Sequence, residues 1–266
     1  MNAQPSIAAI VTAGRSSGED DPLAAYIQNG PKALIPIAGK PMVVHVVDAL
    51  AGSRYIRHIV VVALDPAAGV KFSVPVEYVP DAGGILANTE AGMQYVLAHY
   101  PDVDALLLSS CDVPTITPSI VDAFIEECLR TDHDLYYSVV ERPVMETRFP
   151  GSRRSYIHLT DGDFAGGDVM LMRPSLTLSN RDLWQDLANA RKNALQQARL
   201  VGLWTFFKLV THRLSLADAE RRVQKTLRIY GRAVPFPYAE VGMDVDKPFQ
   251  LEIVRADLEA RAASVQ

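Results

Sequence analysis

Cysteine is almost missing from this 266-residue chain, which has only Cys111 and Cys128. Two cysteines build no disulfide framework, and neither has the spacing of a zinc site. His45, His58, His99, His133, His158 and His212 form no ligand pattern either. Positive charge is also short. Twenty-six Lys and Arg against 31 Asp and Glu leave a net charge of −5. A nucleic-acid partner needs concentrated basic residues, so none is expected. A small anionic ligand stays admissible, because one local site can be positive on an acidic protein. No apolar run reaches the ~18–20 residues of a membrane span. The opening MNAQPS lacks a basic segment followed by an apolar core, so a reducing cytoplasm is the expected location. Repeats and low-complexity segments are absent as well.

What is present is ordinary globular composition, 48% hydrophobic and 21% charged. The length sits near the upper limit of one core, roughly 250–300 residues, and a single domain over 1–266 is expected. Apolar β-branched runs alternate with helical patterns through the first half. Strands are expected at Ile7–Thr12, Ile56–Leu64, Val76–Val79, Asp104–Ser110 and Asp134–Glu141, and helices at Met42–Leu50, Gly84–His99 and from Thr117 to Arg130. The helix after Thr117 has a cap residue and a proline in its first turn. Continuous apolar strands between helices predict a doubly wound, mostly parallel sheet. RSYIHL, DVMLMRP and RAVPFPY read as further strands, and Arg142–Ser155, rich in Pro, Gly and Arg, as a loop. About residues 180–230 the pattern turns almost wholly helical, an insertion. Within it Ala194–Val210 is apolar but interrupted by Gln, Arg and Lys. An acceptor-side subdomain, a dimer contact, an amphipathic surface for a lipid-linked or apolar acceptor and plain packing on the main sheet are its competing readings.

The first loop, IAAIVTAGRSSGEDD, follows the first strand, where α/β folds bind ligands. It lacks the Gly-Lys-Ser/Thr end of a P-loop. It also lacks the three glycines and the acidic residue about 20 positions on of a dinucleotide fingerprint. Further along the chain stands PKALIPIAGKPMVVHVV, residues 31–47. There Pro31 fixes the approach of Lys32, and Gly39-Lys40-Pro41 turns into a helix. Taken alone, Lys32 reads equally well as a solvated loop lysine, and Lys40 as a structural turn residue.

A glycine loop, then Pro-Lys, then Gly-Lys-Pro-Met resembles the start of the MobA-like nucleotidyltransferases. LLLSSCDVPTIT (106–117) is similar to that family's strand followed by Asp-x-Pro. GMDVDKPFQLE (242–252) is similar to its closing DxDTPEDL segment. GGILANTEAGM resembles the segment that meets the nucleobase, and FAGGDVMLMRP the segment near the acceptor. The resemblance runs through nearly the whole chain except roughly 180–230. It implies a three-layer α/β/α sandwich with a mostly parallel, Rossmann-like sheet of the nucleotide-diphospho-sugar transferase type. It also implies transfer of a nucleoside monophosphate from a triphosphate to a small phosphorylated acceptor, with pyrophosphate leaving. Where the family usually has Arg-Met, this loop has Gly18 and the acidic run Glu19–Asp21, and a longer stretch precedes Pro31.

Such a reaction needs no nucleophilic side chain, since the attacking phosphate is already an anion. Charge neutralisation and alignment are the task. Gly14 lets the backbone approach the triphosphate, with Ala13, Arg15 and Ser16 beside it. Lys32, matching the family's lysine, or Arg15 neutralises its oxygens. Carboxylates on separate loops suit Mg²⁺, which takes a few carboxylates and keeps phosphate oxygens and waters. The resemblance implies Asp112 and Asp246 as its ligands, with Asp244 next. A helix cap is the rival role for Asp246, and plain solvation for Asp244. Asp81, Gly83, Gly84, Asn88 and Thr89 are candidates to read the base, against an ordinary helix start. Gly166, Gly167 and Asp168 are candidates for the acceptor, against a plain turn before a strand. A nucleotide-sugar glycosyltransferase and a non-catalytic nucleotide-binding regulator remain alternatives, and a homodimer is admissible.

Overall fold

The computed structural model describes residues 4–14, 21–27, 30–176 and 213–264. Its centre is β1 (Ile7–Thr12), with Ile7 to Val11 buried. Successive side chains of a strand point to opposite faces, and β1 shows the consequence. Ile7, Ala9 and Val11 enter one apolar cluster, Ala8 and Ile10 the other. A run without polar alternation thus reflects a strand covered on both sides.

β1 pairs in parallel with β4 (Ile56–Val62) and β6 (Ala105–Ser110). The short strands β2 (Pro36–Ile37) and β3 (Lys40–Pro41) form a separate hairpin. The main sheet also contains β5 (Glu77–Val79), β7 (Leu135–Glu141), β8 (Ile157–Leu159), β9 (Gly162–Met172) and β10 (Gly231–Pro235). Its order is β10-β7-β9-β6-β1-β4-β5, with β8 paired to β9. β9 runs antiparallel to both β6 and β7, while β10 is parallel to β7 and β5 to β4.

The larger cluster receives α1 (Met42–Ala51), α3 (Pro118–Leu129) and the last helix, labelled α6 (Pro248–Ala263). The smaller receives α2 (Ile85–His99) through Met93 and Val96. Gly92 lets α2 approach: a Cβ there would lie 2.6 Å from Ile10 Cγ2 and 2.8 Å from Val62 Cγ2. These layers are the expected α/β/α sandwich. Thr117 caps α3, its Oγ1 accepting from the Ile120 N–H at 3.3 Å, as expected.

One expectation and one rival reading need correction. Arg142–Ser155 is not all loop, because residues Arg142–Arg148 form helix α4. Pro143 suits its first turn, Met145 is buried, and Arg142 pairs with Glu146 one turn on. Gly166, Gly167 and Asp168 are not a turn before a strand but lie inside β9. The two glycines are there because β7 crowds them. A Cβ at Gly166 would meet Tyr137 Oη, and one at Gly167 would meet Ser138 Oγ. Of the expected helical insertion, α5 (Leu216–Leu227) is seen; Ala194–Val210 lies outside the described residues.

Candidate active site

The carboxyl ends of β1, β4, β5 and β6 open along one edge of the sheet. Neighbouring chains stay tied just past their strand ends. The Ala13 N–H donates to Val62 O at 2.9 Å, and the Cys111 N–H to Thr12 O at 3.1 Å. Gly14 and Asp112 therefore emerge side by side. The Val245 N–H then donates to Asp112 O at 2.9 Å, which docks the late loop over the strand end. Asp246 arrives there by backbone pairing.

Lys32 comes from a third direction, a one-turn 3₁₀ helix, Lys32–Leu34, that follows Pro31. Its Nζ donates to Asp112 Oδ2 at 2.5 Å and to Asp246 Oδ1 at 2.8 Å. The lysine and Asp112 side chains are only 12% and 10% exposed, Asp246 55%. Burial works against the ammonium charge. Asp112 and Asp246 more than offset it, and the Lys32 pKa lies well above the ordinary lysine value. Lys32 is thus a fixed cation rather than a solvated loop lysine. Asp246 does not cap α6, whose N-cap, Lys247, makes no side-chain cap bond.

The donor set fits a divalent cation. Asp112 Oδ1 is buried with no hydrogen-bond partner among the described residues. A buried acceptor without a donor is unusual and invites a ligand. Asp112 and Asp246 would hold such an ion together with phosphate oxygens and waters. Among the described residues no group of three or more His, Cys, Asp or Glu side chains is arranged as a metal cage, and Mg²⁺ does not require one. Asp244 is occupied otherwise, in a close ion pair with Arg154, and both side chains are largely buried. It is not simply solvated. Arg154 carries no family motif; only the paired arginines of GSRRSY distinguish it in the sequence.

Asp168 faces the same centre from β9. Burial, and then the charge of Asp112, push its carboxyl up to about 7; Arg154 and Lys32 pull the other way.

On the far side, Asn88 is 4% exposed and sits in the first turn of α2. Its Oδ1 accepts from the Ala82 N–H at 2.6 Å, and Asp81 Oδ1 accepts from the Gly83 N–H at 2.9 Å. Those two bonds shape the turn at 81–84. Gly83 and Gly84 have φ of 92° and 153°, where side chains are strained, and a Cβ at either would meet nothing within 4 Å. Gly14 is packed against this unit. A Cβ there would stand 3.0 Å from Asn88 Nδ2 and 3.1 Å from Ala63 Cβ. A groove of about 390 Å³ lies beside the turn, lined by Ala63, Leu64, Tyr78, Pro80 and Asp81 among others. Thr89 stands apart, its exposed hydroxyl donating to Ile85 O at 2.8 Å. Lys40 also stands apart, paired with Asp48 at 2.8 Å. Arg15 and Ser16 lie outside the described residues.

The geometry can be set beside known proteins. A family model described as the MobA-like NTP transferase domain matches residues 8–203. A molybdenum cofactor guanylyltransferase from Rhodopseudomonas palustris (strain BisB5) is 32% identical over 127 residues, 46% of this chain. The match covers 55% of that relative, so the chain spans about half of its length. A hypothetical transferase from Thermus thermophilus superposes with a TM-score of 0.81 at 34% identity, covering 94% of this chain and all of that one. CMP:2-keto-3-deoxy-manno-octonic acid synthetase, solved in complex with CTP, superposes with a TM-score of 0.58 at 15% identity, covering 97% of this chain and all of its own. At that identity the likeness speaks for the fold alone.

Proposed function

Because the chain belongs to the MobA-like NTP transferase family, we propose that it is a nucleotidyltransferase that moves a nucleoside monophosphate from a triphosphate to a small phosphorylated acceptor. One observation supports this above all. A buried lysine and two carboxylates, from positions 32, 112 and 246, converge at the sheet edge next to Gly14. A charge-rich site without a nucleophile and base pair suits phosphoryl chemistry, where alignment and neutralisation supply the rate.

An acceptor phosphate oxygen attacks the α-phosphorus, a new P–O bond forms, and the bond to the β-phosphate bridging oxygen breaks. Pyrophosphate leaves with the electron pair. No proton has to move from the nucleophile, so no general base is required. Lys32 holds its charge against the triphosphate oxygens, where negative charge grows. The loop at Ala13 and Gly14, with Arg15 and Ser16 following, carries the triphosphate. The groove beside Asp81–Gly84 takes the base, with Asn88 fixing the turn. Asp112 and Asp246 would hold Mg²⁺, while Asp244 is engaged in its ion pair with Arg154. Bound there, the ion would screen the triphosphate and favour pyrophosphate as a leaving group. Gly166, Gly167 and Asp168 lie on the acceptor flank.

The test is pyrophosphate release with each of the four nucleoside triphosphates, Mg²⁺ and a panel of phosphorylated acceptors. GTP is the first nucleotide to try, since the Rhodopseudomonas relative is named a guanylyltransferase. Release that requires both substrates is the expected result. Nucleotide binding without release from any pair would favour a regulatory role. Transfer from a nucleotide-sugar would favour a glycosyltransferase.

A further inference from the structure

The strand order arranges the site in a line. The turn at Asp81 follows β5, Gly14 follows β1, Asp112 follows β6, and Asp168 stands on β9, in that spatial sequence once β4 is passed. If base and triphosphate occupy the β5–β1 stretch, the acceptor must approach Asp112 from the β9 flank. Arg154, paired with Asp244, is a cation on that flank.

Arg154 lies on the stretch between α4 and β8, where exposure alternates. Ser152 is buried, Arg154 and Tyr156 are half-buried, and the residues between them are exposed. Residues 152, 154 and 156 thus turn inward together. Ser152 Oγ, Arg154 Nε and Tyr156 Oη are all buried and have no hydrogen-bond partner among the described residues. One such atom is unusual, and three on one short stretch call for an explanation. The guanidinium is anchored at its other end, where Nη1 pairs with Asp244. Asp244 is two residues from Asp246, so the anchor ties this arginine to the Lys32 cluster. The edge formed by Nε and Nη2 is the one that meets two oxygens of a phosphate side-on.

We propose that Arg154 determines acceptor specificity, receiving the acceptor's phosphate group on its Nε edge while Asp244 holds the guanidinium in place. The inference rests on the nucleotidyltransferase reading for the identity of the ligand, but its first test does not. Inorganic phosphate is titrated into the full chain without nucleotide and followed by ³¹P line broadening. Arg154→Gln should weaken phosphate binding tenfold or more. Arg154→Lys keeps the charge beside Asp244 but loses the two-donor edge, so it should fold if Gln does not and still weaken binding about fivefold. The second test is the kinetic split. With an active substrate pair, both variants should raise the acceptor KM by those factors and leave the triphosphate KM within twofold. Either variant, folded, with phosphate binding and acceptor KM unchanged overturns the proposal. So does a wild-type chain that binds no phosphate at millimolar concentration. Arg154-dependent phosphate binding in a chain that releases no pyrophosphate would instead count against the nucleotidyltransferase reading and leave the phosphate site standing.

Discussion

The two flanks of the sheet edge are built on opposite plans. On the β1–β4–β5 side the polar groups of the 81–84 turn serve one another. Asn88 holds the Ala82 amide, Asp81 holds the Gly83 amide, and Gly14 is fitted against both Asn88 and Ala63. On the β9 side the charges are crowded, and Arg154 Nε, Tyr156 Oη and, at the adjoining β6 end, Asp112 Oδ1 have no hydrogen-bond partner among the described residues. The first plan gives a rigid receptor whose shape precedes its ligand. The second stores unmet electrostatic demand that a ligand can satisfy. Between them Lys32 bridges Asp112 and Asp246 and keeps two carboxylates from repelling each other.

Breaking that bridge should have the largest effect. Asp112→Ala should lower pyrophosphate release by 10³-fold or more, because it removes one of the two carboxylates proposed for the metal. The fold should survive, since the Val245 amide bonds to the Asp112 backbone carbonyl and not to the side chain. Circular dichroism and a thermal scan check the second half of that statement. A fully active variant would sink the metal assignment. Lys32→Gln comes next, at about 10²–10³-fold in kcat, the usual range for losing one charge-stabilising donor. It should also weaken the triphosphate KM, and an effect on the acceptor KM alone would put Lys32 on the wrong flank.

The self-satisfied flank should respond mainly in binding. Asn88→Ala leaves the Ala82 amide without its acceptor, a cost of about 1–3 kcal/mol, visible as a lower thermal midpoint. The triphosphate KM should rise with the acceptor KM unchanged. Gly14→Ala should do the same more mildly, because its Cβ must push the Asn88 amide by a few tenths of an ångström. If either variant moves the acceptor KM instead, the division of labour between the flanks is reversed.

How much of this was legible in the sequence divides along the same line. Parallel strands buried on both faces announce themselves as apolar runs, and β1, β4 and β6 fall where those runs are. The residues at their carboxyl ends, Gly14 and Asp112, are then placed by the topology rule for α/β sheets. Asp246 was legible only through a motif, because a backbone bond between residues 245 and 112 has no local signature. The β9 flank was read worst. An antiparallel strand crowded by Tyr137 and Ser138 requires Gly166 and Gly167, yet paired glycines resemble a turn. Arg154 was hidden in a segment that reads as loop, since its role depends on Asp244, 90 positions away.

The remaining expected effect is on pH dependence, and it separates the flanks without any substrate. The Asp168 carboxyl is held at about 7, by burial first and by the Asp112 charge second, against an ordinary value of 3.8. A folded-state pKa above the unfolded one means that the group's contribution to stability is fully present below about 3.8 and is lost as pH rises through about 7. Wild type should therefore lose thermal stability relative to Asp168→Asn from about pH 4 to about pH 7, with the gap levelling off above that. Near neutral pH a sizeable fraction of Asp168 carries its proton, so the β9 flank presents less negative charge to an incoming phosphate than its count of carboxylates implies. Phosphate binding should then weaken from pH 6 to pH 8 in wild type more than in Asp168→Asn. Parallel pH profiles for the two proteins, in stability and in phosphate binding alike, would mean that Asp168 is already ionised and that this flank relies on Arg154 alone.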